Sequence, residues 1–435
     1  MSKIYGLLIV LRDLQYIFLV KYLPNKLFMY FYKIGFLNFV KKPLYKYPSF
    51  ISKKSLESGS EIHSRKILET SIEALNNYSQ NRSSNNVKFK HESKSNGAES
   101  FYLRNAKIII PYGWVDPSRA EGRTQGPQIL FLKKGLEKNK FNVEIIQLRD
   151  DYDDLVLNID PSESQFIFIW SLTQVDPRSK ALRVFLSSHL NMNKNAKIVG
   201  VITAGPEIKL IERYMEWKKI LSKVIFYEED SEYKNEIDKI FEVVHTPYLQ
   251  INPNFLDIQK DFYPSVHASC IIKHNRIAWL VVLRYICVFL NLNYHIRIIS
   301  NALTLKRNRE SYISNELIVE ERMNYGFGFV MAHRDSIRDA DLIGSFWDYY
   351  RLGVIPIVQK QKYNQISSYL IPYLDYFPCE SDLDLLAILK ASKENPTHFS
   401  ILKLRLLDRM RSEFTPEIVI RKLLKNLSQI NKDTN

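Results

Sequence analysis

The stretch FGFVMAHRDSIRDADLIGSFWDYYRLGVIPIVQ, residues 327–359, is the most informative part of the chain. Phe327–Met331 is a short unbroken apolar run, the pattern of a strand covered on both faces. A charged loop follows, then a helical piece that starts near Gly344 and stops at Gly353. Val354–Val358 is a second apolar run, entered through Pro356. A buried strand, a helical crossover and another buried strand make a parallel pair, because parallel strands cannot be joined by a tight hairpin.

The same alternation extends in both directions. Toward the N-terminus, apolar strands are expected at Lys107–Pro111, Asn142–Leu148, Phe166–Trp170, Lys197–Ile202, Lys223–Tyr227 and Val243–His245. Helical stretches fall between several of them, at Pro177–Leu190, Pro206–Leu221 and Ser231–Phe241. After the bridge TPYLQINPNF a second series opens, with strands at Val266–Ile272 and Tyr294–Ile299 around an apolar-faced helix at Arg276–Leu292. Tyr312–Glu320, Asp382–Lys390 and a run from Ser400 to Ile430, broken near Pro416, read as helical. Strands alternating with helices of ten or more residues predict α/β architecture with parallel sheets. Two such series predict two doubly wound domains, over 106–250 and 260–400, with C-terminal helices over 401–435. A cleft is expected where the carboxyl ends of the two sheets face each other.

The first hundred residues differ in character. Residues 1–55 hold ten Lys or Arg against the single acid Asp13, a large share of the net charge of +14. They are also dense in Phe and Tyr, and charges cut every apolar run well below the roughly 18 residues of a spanning helix. Neither a transmembrane segment nor a signal peptide is expected. Aromatic bodies with lysine heads suit an anionic membrane surface, and they equally suit helices packed on the protein's own body. Residues 1–70 therefore read as basic aromatic helices. Residues 71–105, poor in aliphatics, read as a polar linker. Cys270, Cys287 and Cys379 lie far apart without a CxxC spacing, which favours a reducing, cytoplasmic setting over a disulfide framework; a peripheral place on the membrane face is the expectation where residues 1–55 meet lipid. No basic stripe with interleaved aromatics outside 1–55 suggests nucleic acid as a partner.

With Ser345, Phe346, Trp347, Asp348, Gly353 and Pro356 in this spacing, the chain resembles the GT-B glycosyltransferases, and within them the exostosin-like and fucosyltransferase-like inverting branches. The resemblance covers about residues 106–430 and implies a Rossmann-like acceptor half followed by a Rossmann-like donor half that binds a nucleotide-sugar. It implies that Asp348 takes the ribose hydroxyls of the nucleotide, since a carboxylate accepts from both hydroxyls of a diol, and that Gly353 gives the backbone room to approach. Arg334 and Arg338, with helix N-terminal amides at Gly344 and Ser345, are candidates for the diphosphate. Lys273 and Arg276, just after the first donor-domain strand, are placed on the leaving group by position. The sequence departs from the family in carrying Ser345 where Arg or Lys is common, and Asp348 where Glu is usual.

On the acceptor side, inverting transfer needs a general base. The loop 113–127 offers Asp116 and Glu121, which rank ahead of Asp176, Glu207 and His245. Asp339-Ala340-Asp341 has the spelling of a metal-binding triplet but lies where the resemblance expects phosphate contacts, so neither a metal nor another cofactor is expected. The acceptor implied is a glycan or a lipid-linked sugar in cell-surface polysaccharide or glycolipid synthesis. A non-catalytic scaffold of the same fold and a sugar-nucleotide epimerase are the competing readings.

Overall fold

The computed structural model describes residues 18–33, 53–92, 104–110, 125–147, 164–170, 196–202, 223–226, 234–246, 261–271, 274–299, 321–331, 346–359 and 370–428, with single positions between them. At the ends of some elements, such as 53–59, 82–92 and 274–278, it describes the backbone alone. Strands β1 (Arg104–Ile110), β2 (Phe141–Gln147), β3 (Ser164–Trp170), β4 (Lys197–Ile202), β5 (Lys223–Phe226) and β6 (Val243–His245) form one sheet, in the order β2-β1-β3-β4-β5-β6. Strands β7 (Ser265–Ile271), β8 (Asn293–Ile299), β9 (Phe327–Val330), β10 (Ile355–Gln359) and β11 (Phe377–Cys379) form another, in the order β11-β10-β9-β7-β8. Both sheets are parallel. Helices α1 (Asn25–Lys33), α2 (Lys53–Glu92), α3 (Gln125–Lys138), α4 (Lys234–Ile240), α5 (His274–Leu290), α6 (Asp382–Glu394), α7 (Pro396–Glu413) and α8 (Pro416–Ser428) accompany them.

The isoleucine run of β1 shows why the first sheet is covered on both sides. Ile108 and Ile110 enter one apolar cluster, together with Ile129, Leu132 and Leu136 of α3 and Ile420 and Leu423 of α8. Ile109 points the other way, into a second cluster with Leu182, Leu186, Trp217 and Ile237. A period of two along a run without polar residues sends alternate side chains into two dry layers. The two sheets also wind alike. Each reverses direction once, between β1 and β3 in the first and between β7 and β9 in the second. At such a switch point the loops leaving the two adjacent strands diverge and open a crevice at their carboxyl ends.

The polar linker is where the sequence reading fails. Residues 71–92 are helical, the second half of α2. Ser60, Ser64, Ile67 and Ser71 are buried, and Ala74, Leu75 and Tyr78 pack partly against the core. These positions recur mostly every three or four residues, a stripe as narrow as a coiled-coil seam, and composition alone hides it because three of its seven members are serine. The stripe docks through polar contacts. The Ser71 hydroxyl donates to the Tyr373 carbonyl at 2.8 Å and lies 2.9 Å from Nε2 of His398. Tyr78 donates to Glu413 at 2.6 Å, and His63 Nε2 meets Asp384 at 2.7 Å.

The N-terminal aromatics divide between two roles. Leu19 and Val20 of the π-helical turn Phe18–Tyr22, with Leu23 and Phe28, are buried against the body. Each such burial is worth about 1.5–3 kcal/mol. Arg284 of α5, itself buried, secures the segment: it donates to the carbonyls of Leu19 (2.6 Å) and Leu23, to Asn25 Oδ1 (3.1 Å), and sits 4.3 Å over the Phe28 ring. Phe18, Tyr22, Leu27 and Tyr30 face outward. Among the described residues no helix is long and apolar enough to cross a membrane.

The C-terminal helix returns to the first sheet. α8 lies so close to α3 that a Cβ on Gly135 would collide with the Ile420 side chain and meet the Pro416 carbonyl at 2.6 Å. Its last turn is held by two lysines of the first sheet, Lys197 Nζ on the Leu427 carbonyl (2.8 Å) and Lys223 Nζ on the Asn426 carbonyl (2.9 Å). Cations at the carbonyl end of a helix satisfy its unpaired acceptors and oppose its dipole.

Candidate functional site

Four strands flank the two switch points, and sequence candidates follow each of them in the chain, Asp176 coming after β3. Asp116 and Glu121 follow β1. Lys273 and Arg276 follow β7, and Arg334, Arg338, Gly344 and Ser345 follow β9. All of these fall outside the described residues, except that Arg276 has its backbone in the first turn of α5. Asp176 and Glu207 are also outside them, and of His245 only the backbone, the last residue of β6, is described.

Asp348 is the candidate whose side chain is described. It sits in the helical turn 346–350, between the buried Trp347 and Tyr349. Its Oδ2 accepts from Arg322 Nη1 at 2.7 Å, and its Oδ1 lies 3.7 Å from Arg351 Nε, beyond hydrogen-bond reach. The Arg322 guanidinium is buried over the Tyr349 ring, 5.1 Å from its centroid. Burial opposes the charge on Arg322, but Asp348 foremost outweighs it and raises its pKa. Tyr349 in turn lies across Gly328, the second residue of β9, where no Cβ would fit. Asp348 therefore stands level with the first half of β9, its carboxylate 40% exposed.

Beside this pair is a cluster that the sequence did not announce. His267 on β7 and His295 on β8 are direct partners in the sheet register, with rings stacked 5.5 Å apart. Nε2 of each approaches the same atom, Oε1 of Glu321, at 2.8 and 2.9 Å. Arg297 Nη1 donates to the other oxygen, Oε2, at 3.2 Å. Burial pushes the His267 pKa down to about 4, with Glu321 opposing. Burial would raise the Glu321 pKa, but the bond to His267 and the charges of its neighbours lower it on balance. The two histidines are 28 positions apart, and only the pairing of β7 with β8 places them side by side.

The backbone path itself is the comparable feature. No protein-family model and no curated protein matches the chain. Among solved structures, an alpha-glucosyltransferase in complex with UDP aligns over 75% of this chain and 100% of its own, with a TM-score of 0.50 at 9% identity. The structure of an alpha-glucosyltransferase in complex with UDP-glucose and DNA containing an abasic site aligns over the same shares, with a TM-score of 0.51 at 10% identity. The fold is that of the GT-B glycosyltransferases. In GT-B terms the β1–β6 sheet is the first Rossmann-like domain and the β7–β11 sheet the second. The return of α8 to α3 then ties the end of the chain to the first domain. At this identity the GT-B likeness fixes the path of the backbone, and the residues that do chemistry must be argued from this chain.

Proposed function

We propose that the protein is a glycosyltransferase that moves a hexosyl or fucosyl group from a nucleoside diphosphate sugar to a glycan or lipid-linked acceptor. The observation that carries this reading is the pair of like-wound parallel sheets, whose chain path follows a UDP-bound glucosyltransferase along that enzyme's whole length. In this reading the donor lies at the β7/β9 switch point, with its diphosphate met by Lys273, Arg276, Arg334, Arg338 and the backbone amides at Gly344 and Ser345. Concentrated positive charge there stabilises the departing diphosphate. Asp116 or Glu121, after β1, takes the proton of the acceptor hydroxyl. Inversion, and transfer without a metal, are the outcomes that the exostosin-like and fucosyltransferase-like resemblance implies; the anomeric configuration of the product, read by NMR, tests the first.

The donor assignment is tested by isothermal titration with UDP, GDP and CMP. One of the three binds, and Asp348→Ala weakens that binding about 10- to 100-fold, the loss of a hydrogen bond to a charged group. Failure of all three to bind removes the catalytic reading. A second reading is favoured by the ion pair itself: Asp348, held by Arg322 and level with the first half of β9, serves to fix the helical turn. In that case Asp348→Ala lowers thermal stability and leaves nucleotide affinity unchanged.

The outward face of the N-terminal segment supports a place for this chemistry. Phe18, Tyr22 and Tyr30 are each more than half exposed, with Lys21 and Lys26 exposed among them. We read this face as lying on an anionic lipid surface, rings at headgroup depth and ammonium groups on phosphates. Co-sedimentation with phosphatidylserine-containing vesicles, weakened by salt and by Tyr22→Ser/Tyr30→Ser, is expected. Equal recovery with and without the anionic lipid rules the surface out.

A further inference from the structure

Three side chains that the transfer reaction does not use converge near the amino ends of β7 and β8. His267 and His295 each stand third in their strands, and Glu321 lies in the helical residues 321–323 that precede β9. Nε2 of both rings and a Glu321 oxygen all lie within 4.8 Å of one another. Two imidazole nitrogens and one carboxylate oxygen form the donor set of a three-ligand zinc site, which keeps a fourth position for water.

The surroundings complete the arrangement. Nδ1 of His267 lies 2.6 Å from the Tyr349 hydroxyl, which also reaches the His267 carbonyl at 3.5 Å. The short contact at Nδ1 holds the ring with Nε2 turned toward the Glu321 carboxylate. Arg297 occupies Oε2 of Glu321, which leaves Oε1 for the ligand position. Such outer contacts orient ligands in metal sites. His267 is buried, while His295 and Glu321 are about one-third exposed, so the open side faces solvent.

We propose that His267, His295 and Glu321 bind a divalent transition-metal ion, zinc by preference, which ties β7, β8 and the approach to β9 together. Tetrahedral zinc with bonds near 2.0–2.2 Å keeps its ligand atoms about 3.3–3.5 Å apart. Glu321 must therefore withdraw by roughly half an ångström from each ring nitrogen, a small motion for a partly exposed side chain. Arg297 and Arg322 oppose a cation, but each already faces a carboxylate of its own, Glu321 and Asp348. Imidazole donors select zinc over magnesium or calcium. The residues proposed for the diphosphate follow the carboxyl ends of β7 and β9, whereas this cluster lies near the amino ends of β7 and β8 and adjoins Asp348 through Arg322 and Tyr349.

The test uses the full-length protein, stripped with a chelator and refilled. One equivalent of zinc is retained through gel filtration at micromolar metal. Cobalt(II) in its place gives the d–d absorption of a low-coordinate site. His295→Gln, at a partly exposed position, keeps the circular dichroism spectrum and loses zinc affinity on the order of 100-fold. Less than a tenth of an equivalent in the wild type, or an octahedral cobalt spectrum, overturns the proposal. So does zinc bound equally well by His295→Gln. The wild-type cobalt spectrum decides even where a variant fails to fold.

Discussion

Asp375→Leu is expected to lower the unfolding free energy by about 3–5 kcal/mol, the loss seen when one partner of a buried ion pair is removed. Asp375 is fully buried and its carboxylate is committed on every side. It pairs with Arg409 of α7, accepts from the Tyr350 hydroxyl at 2.7 Å and from the Ile371 amide at 2.7 Å. Burial opposes the charge on Arg409, yet Asp375 foremost outweighs it and raises the Arg409 pKa. Removing the acid leaves that guanidinium in the core with Glu413 as its remaining carboxylate. Asp375→Leu/Arg409→Met should recover much of the loss, because an apolar pair of similar volume fills the site without a buried charge. Urea denaturation of the two variants checks both statements. A drop below 1 kcal/mol in the single variant contradicts the first.

The same network sets an acid limit. Burial alone would raise the Glu413 pKa, but the bonds from Arg409 and Tyr78 lower it below its ordinary 4.5. A carboxylate with a lowered folded-state pKa contributes stability above its unfolded value. That contribution is lost as pH falls through the folded one. Stability should therefore decline below about pH 4.5, less steeply in Tyr78→Phe, which lacks the hydroxyl donor.

Gly353→Ala is expected to cost about 2–5 kcal/mol. Gly353 has φ of +67°, a left-handed conformation that disfavours any Cβ by about 1–2 kcal/mol. Its amide donates to the Tyr350 carbonyl at 3.1 Å and the next amide to the Tyr349 carbonyl at 3.2 Å, which closes the helical turn 346–350. A Cβ here would also meet the Leu407 side chain at 2.8 Å and 2.9 Å, adding about 1–3 kcal/mol of overpacking. Leu407→Ala supplies the missing room, so the double variant should be less damaged than the two single losses predict. Strict additivity in a double-mutant cycle would remove the contact from the account.

Gly353 also shows how a motif can be legible for a reason other than the one first attached to it. In the sequence its spacing from Asp348 suggests room for a nucleotide. In the structure the glycine is required by a positive φ and by Leu407 of α7, a residue 54 positions later. The α2 stripe is a second case. Ser71 looks like a linker residue until the carbonyl of Tyr373 and the ring of His398 supply its partners. Small polar residues carry no apolar signal, so hydropathy cannot find an interface made of them.

What the sequence alone determined is the alternation of strand and helix and the parallel direction of both sheets. Runs such as Ile108–Ile110 and Ile355–Val358 have no polar residue to face water, and so must be covered on both sides. What only the tertiary structure decided is which distant residues meet. Strand register brings His267 to His295 and, through the turn before β9, to Glu321. The helical turn 346–350 lays Asp348 on Arg322. Periodicity records which way a side chain points within its own element; what it points at depends on the order of strands in the sheet, and strand order leaves no local trace in the chain.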